Sequence, residues 1–332
     1  MFKSIKNFVY KGEFLEFDVH KQLINSDRKK FLFFQILFKK ILRNFYRLFQ
    51  RNVTKPSIRK VFCDIEKKIF KFFETHKNSS LDNIEIINNQ VNNLKENSFT
   101  FTENLINKLE VEKIKTYLSN KNQIDIYETS LEKKMPMRYF KTEDIINCEE
   151  IMNVVNNEKL TNLLKLYFGC NFKLDWIWSW WSNVESSKDI IGPQLFHRDY
   201  ESLNFVKLFI YLTDVNGLDG SHQVIKKSHN INKFHKIERY SDSQIYSQFD
   251  KKKDVHTIDG VAGTSFLVNS YAIHRGLKPL KCERLVLCYL FSIYPSRRSP
   301  KIPPLVFSQI KNNREKFNAN KNIFSLFIDY KK

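Results

Sequence analysis

The 332-residue sequence predicts an α+β protein, with helices through its first half and a β sandwich or barrel in its second. Three observations carry this. Upstream of Gly169 the apolar residues recur at helical spacing. Downstream they gather into short runs of β-branched and aromatic residues divided by turn signals, with no helices alternating between them, which argues against a parallel α/β sheet. A hydrophobic content of 42%, with 14% aromatics, is enough for a full core in a chain of this length.

Residues 1–76 form a basic helical region. Within 29–52, Lys40, Arg43, Arg47 and Arg51 fall at helical spacing, and Ile41, Leu42, Phe45, Leu48 and Phe49 cover the remaining arc. Such a helix is expected to pack its apolar face on the main domain; peripheral docking to a membrane surface or a protein is the alternative. A second helical stretch spans about 57–76. Residues 77–98 accumulate asparagine without strong periodicity and are expected to be a polar linker. The main domain covers 99–297. It opens with helices traced by Leu105, Ile106, Leu109, Ile114 and Leu118 and by 157–167, then turns to strands at 172–181, 205–213, 263–268 and 284–293. The polar, partly helical insertion Asn230 to Lys253 is a candidate lid, and 298–332 is expected to be a basic tail or helix.

The net charge of +19 raises nucleic acid as a partner, but its distribution argues otherwise. The first sixty residues hold fifteen Lys and Arg against four Asp and Glu, away from the region that carries chemistry, so no specific nucleic acid is expected. Five scattered cysteines without a C-x-x-C pair point to a reducing, cytoplasmic setting. The N-terminus has no uninterrupted apolar stretch of the kind a signal peptide needs, and no apolar run is long enough to span a bilayer.

The chemistry is expected at His197-Arg198-Asp199 and His274. Two imidazoles and a carboxylate on one face of a metal leave the opposite positions open, as non-haem Fe(II) oxygenases require for a cosubstrate and O₂. Strand alternation would put His197 and Asp199 on one face; alone, that pair is also what an Asp at a turn beside a surface His looks like. Gln194 lies three residues before His197, on the opposite face unless the strand is bulged, and is a candidate cosubstrate contact. His222 and His229 read as structural. Trp178, Trp180 and Trp181 read as core or as the aromatic wall of a pocket. Lys207 and Tyr211 share a strand face expected to be solvated.

Three stretches, QLFHRDYESLNFVKLFIYLTDV (194–215), DGSHQVIKKSHN (219–230) and GTSFLVNSYAIHRGLKPLKCERLVLCYLFSIYP (263–295), together resemble the phytanoyl-CoA dioxygenase-like family of Fe(II)/2-oxoglutarate oxygenases. The resemblance covers most of residues 165–297. It implies a double-stranded β-helix (a jelly roll, or cupin-like barrel) with N-terminal helices packed on or beside it. It also implies His197, Asp199 and His274 as catalytic Fe(II) ligands, and Arg284 as the partner of the distal carboxylate of 2-oxoglutarate. A planar guanidinium suits that carboxylate because it can donate two parallel hydrogen bonds. The implied reaction is hydroxylation of a C–H bond in a small-molecule substrate, with release of succinate and CO₂; the basic surplus favours an anionic substrate. Asp199 disfavours halogenation, which needs a small residue there. Lys227 stands where the family has glycine in its GSH turn, and Ser221 where it has proline, which bears on the substrate pocket more than on the ligands. The alternatives are a cupin-like metalloenzyme that does not use 2-oxoglutarate and a non-catalytic barrel scaffold docked through its basic N-terminal helix.

Overall fold

The structure, a computed structural model, describes residues 27–72, 84–103, 105–128, 133–184 and 190–331. The beginning of the basic region, residues 1–26, lies outside them. Helices α1 (Asp27–Asn52) and α2 (Pro56–Phe72) lead into α3 (Ile84–Asn97), β1 (Phe99–Thr102) and α4 (Lys108–Ser119). Strands β2 (Gln123–Glu128) and β3 (Lys133–Phe140) precede α5 (Thr142–Ile146), α6 (Glu149–Val154) and α7 (Glu158–Phe168). The β half follows as β4 (Lys173–Ser182), β5 (Phe205–Tyr211), β6 (His222–Ile225), α8 (Asp242–Tyr246), β7 (Val255–Ile258), β8 (Ser265–Val268), β9 (His274–Gly276) and β10 (Arg284–Ser292). The chain closes with β11 (Leu305–Val306), α9 (Arg314–Ala319), α10 (Lys321–Phe324) and β12 (Ile328–Asp329).

Local chemistry accounts for the helix ends. Asn107 caps α4 through a reciprocal pair of bonds with Glu110, and Gly169 ends α7 in the left-handed region at φ 70°, where a side chain would be strained. The strands form a seven-stranded antiparallel sheet in the order β1-β8-β5-β10-β4-β3-β2 and a three-stranded one, β7-β6-β9. Side chains from both sheets, among them Phe209, Val224, Ile258, Phe266 and Val286, meet in one buried cluster. The other face of the large sheet is covered by α3, α4, α7 and the C-terminal elements. Burial on both faces explains why β5 and β10 read FVKLFIY and RLVLCYLFS instead of alternating with polar residues.

Two expectations need correction, for 77–98 and for α1. The segment 77–98, expected to be a polar linker, contains α3, whose Ile87, Val91 and Leu94 are in the core. Only those three face inward, at i, i+4 and i+7, and the asparagines around them hide the period. Residues 298–332, expected to be a basic tail or helix, carry α9 and α10, and Phe317, Ile323, Phe324, Phe327 and Ile328 join the same core, with β11 paired in parallel with β12. Over residues 41–52, α1 turns its apolar face away from the domain: Ile41, Phe45 and Leu48 are exposed, as is Phe38 before them, while Arg47 and Gln50 are buried.

The candidate lid is pinned to the barrel. Tyr240, Ile245 and Phe249 pack with Phe196, Ile225 and Ile273. Arg198, the central residue of the H-x-D, points away from its neighbours and donates to the carbonyls of Ser228, Ile231, Lys233, Phe234 and Tyr271 at 2.7–3.1 Å. One buried guanidinium thus closes the insertion onto the strand that carries the candidate ligands.

Candidate metal centre and anion pocket

A 3₁₀ turn, Gly192–Gln194, delivers the chain to His197, which bridges antiparallel to His274. The His197 amide donates to the His274 carbonyl at 3.0 Å and the His274 amide to the His197 carbonyl at 2.9 Å, while the Asp199 amide donates to Ser270 at 2.9 Å. Directly opposed residues put their side chains on the same face. The donor atoms of His197, Asp199 and His274 accordingly lie within 4.8 Å of one another.

Each imidazole is oriented by its backbone. His197 Nδ1 lies 2.9 Å from the Leu195 carbonyl and His274 Nδ1 2.9 Å from the Ala272 carbonyl. A carbonyl only accepts, so both rings carry a proton on Nδ1 and turn Nε2 toward the centre, the atom a metal ligand would offer. Burial, reinforced by neighbouring His274, pushes the His197 pKa down to about 3. That ring is therefore neutral and free to ligate at ordinary pH.

Burial would raise the Asp199 carboxyl, but the Lys207 ammonium, and after it His274, whose Nε2 lies 3.4 Å away, hold it well below the usual carboxylate range. Lys207 donates to Asp199 Oδ2 at 2.7 Å, lies 3.8 Å from Glu201 and sits over the Trp178 ring. This overturns the expected solvated face for Lys207 and Tyr211, both of which are buried. The signal was present: a lysine inside an uninterrupted apolar strand must be buried, and a buried ammonium must have an anion. Glu201, which also lines the cavity, was missed because nothing in its spacing marks it.

Arg284 opens β10 inside the same cavity. Its guanidinium donates to the Gly220 carbonyl and, at 3.2 Å, to Ser182 Oγ, and its Nε is buried without a partner. Burial depresses its pKa, and no carboxylate among the described residues pairs with it. Gly276, two residues after His274, keeps this space open, since a Cβ there would stand 3.0 Å from Arg284 Nη2. Gln194 lines the cavity from the 3₁₀ turn, where strand alternation does not apply, and its Oε1 accepts from the Ile191 amide at 3.2 Å.

The cavity measures about 700 Å³. Alternation along β4 divides its tryptophans: Trp176, Trp178 and Trp180 face the cavity, and Trp181 packs on the opposite core. His222, expected to be structural, lines the cavity with its ring 5.4 Å from His274, and its Nε2 has no partner. Burial, with His274 and Arg284 nearby, keeps it neutral. His229 bonds Ser98 and Asn230 away from the site.

Solved structures place this architecture. The epimerase SnoN, in complex with Fe3+, alpha ketoglutarate and nogalamycin RO, superposes with a TM-score of 0.50 at 12% identity, over 62% of this chain and 83% of its own. The fold is a double-stranded β-helix. HygX from Streptomyces hygroscopicus, with nickel and 2-oxoglutarate bound, matches at a TM-score of 0.45 and 14% identity, over 66% of this chain and 89% of its own. No protein-family model matches the sequence, and no curated protein matches it. At these identities the likeness is one of fold.

Proposed function

We propose that this protein is an Fe(II)- and 2-oxoglutarate-dependent oxygenase of the phytanoyl-CoA dioxygenase-like type, acting on a small molecule. The observation that carries the reading is Arg284: a buried cation without a carboxylate, sharing one cavity with a His-Asp-His cluster. An uncompensated buried charge is costly, so such a site suits an anionic ligand. The donor set suits a ferrous ion, with two imidazoles and one carboxylate leaving coordination positions free.

In this reading His197 and His274 would offer Nε2 and Asp199 one carboxylate oxygen, while Lys207 holds the other. Arg284, with Ser182 beside it, would grip the distal carboxylate of 2-oxoglutarate, and Gln194 borders the same space. Bound Fe(II) supplies the redox chemistry with O₂ that converts 2-oxoglutarate to succinate and CO₂ and oxidises the substrate. The chain's own part is to orient the ligands, keep water out behind the tryptophan wall, and place the substrate. SnoN is an epimerase, so the outcome at the substrate carbon is a separate question from the cofactors. Hydroxylation is favoured over halogenation, because a carboxylate stands at position 199 where halide would need a small residue.

The test is anaerobic addition of Fe(II) and 2-oxoglutarate, which should give a weak visible charge-transfer band. A folded, metal-loaded protein without that band rules out the 2-oxoglutarate reading. Succinate release across a panel of small molecules, anionic ones included, should rise above the uncoupled rate with the true substrate. Product mass then separates hydroxylation, which adds one oxygen atom, from epimerisation, which leaves the mass unchanged.

A further inference from the structure

The helical hairpin is turned inside out. Helices α1 and α2 bury polar side chains against the barrel and hold apolar ones in solvent. On the inner face, Gln50 Oε1 accepts the Leu203 amide at 3.1 Å, and Arg59 donates to the Leu203 carbonyl at 2.8 Å. Glu66 accepts from Asn204 and from the Tyr46 hydroxyl, each at 2.7 Å. These bonds fasten the hairpin to the loop that follows Asp199, so it moves with the barrel. On the outer face, apolar residues recur every three or four positions, from Phe38 (62% exposed) through Phe45 (68%) on α1, and from Ile58 (50%) through Ile65 (46%) to Phe72 (78%) on α2. Phe49 and Phe62, at the margins of the two stripes, meet edge to face at 4.9 Å and join them into one apolar face.

That face is set in positive charge. Residues 27–72 carry fourteen Lys and Arg against three Asp and Glu. Lys68, exposed, stands one helical turn from both Ile65 and Phe72. Charge decides the occupant. Residues 1–26 hold four lysines against three acidic residues and bring almost no counter-charge, and a second copy of the hairpin would bring the same positive charge. An anionic bilayer surface supplies both requirements, an acyl boundary for the aromatic and aliphatic stripe and phosphates for the lysines. We propose that α1 and α2 form a membrane-surface site that lies in the interfacial plane of an anionic bilayer and holds the barrel against it. Among the described residues no helix is long and apolar enough to cross a membrane.

The experiment is flotation of the full chain with vesicles of phosphatidylcholine alone and with about 30% phosphatidylserine added. The expected result is about tenfold or more greater binding to the anionic vesicles, weakened by salt. The double variant Phe45→Glu/Ile65→Glu should lose about tenfold or more of that binding while its circular dichroism and metal binding stay unchanged. A second variant, Lys68→Glu/Lys71→Glu, leaves the apolar face intact and should lose the preference for anionic vesicles. Three results overturn the proposal: no binding to either vesicle, binding unaffected by both variants, or a wild-type dimer in sedimentation equilibrium that Phe45→Glu/Ile65→Glu converts to monomer. The last would make the face a self-interface.

Discussion

Replacing Arg284 separates a ligand-binding cation from a structural one, because the two roles predict opposite signs. In the metal-free protein its guanidinium is fully desolvated, has a neutral carbonyl and a hydroxyl as partners, and leaves Nε unbonded. Exchanging a buried ionic group for an apolar one of similar volume is often neutral or stabilising by ~1–4 kcal/mol, so Arg284→Met should unfold at the wild-type temperature or above it. Binding should move the other way. Each charge-assisted hydrogen bond contributes ~1.5–3 kcal/mol, and losing two of them should weaken 2-oxoglutarate binding about 10²–10⁴-fold. Arg284→Lys keeps the charge but not the fork and should recover only part of that loss. Calorimetric titration of 2-oxoglutarate into Mn(II)-loaded protein reads the affinity, and thermal unfolding without metal reads the stability. A 2-oxoglutarate affinity within about threefold of wild type, or a metal-free variant that fails to fold, would refute the reasoning.

Divalent metal should raise the unfolding temperature of the wild type, by ~2.7 kcal/mol of stability at a hundredfold excess over the dissociation constant, and His274→Ala or Asp199→Ala should abolish that rise in a thermal shift assay. Lys207→Met leaves Asp199 without its buried cation, while Glu201 keeps Arg298 at 3.0 Å, and should cost ~3–5 kcal/mol in the metal-free protein by denaturant titration. Lowering the pH should destabilise the metal-free protein. His197 is neutral when folded, with its pKa pushed down to about 3, and protonates near 6.5 when unfolded, so its contribution is lost as pH falls below 6.5. Between pH 6.5 and 5 this amounts to ~2 kcal/mol; His197→Gln should flatten the slope, and an unchanged slope would count against the assignment. Leu94→Ala should cost ~2–5 kcal/mol if α3 belongs to the core, against almost nothing for a linker residue.

The strand frame was legible because β4, β5, β8 and β10 are dense apolar runs bounded by turns, and the ligand pair because alternation carries H-x-D to one face. The partner of that pair was legible only through a resemblance, since no local rule joins residue 197 to residue 274. Helix α3 escaped because three inward residues among asparagines make a weak period. The inversion of α1 escaped for a different reason: an amphipathic pattern gives the two faces of a helix but not which one meets the barrel. There the deciding partners were polar groups of another segment, the Leu203 amide for Gln50 and the Asn204 side chain for Glu66, and spacing carries no trace of them.

The reciprocal bonds between His197 and His274 make the candidate centre a property of the sheet register. Main-chain bonds alone hold the two rings opposite each other, so binding of a metal by the candidate ligands would require little reorganisation. The same wiring carries a vulnerability: a one-residue slip of the 196–199 segment against β9 would turn both His197 and Asp199 away from His274 at a stroke. Arg198, bonded to five carbonyls on the far side, is the residue placed to forbid that slip.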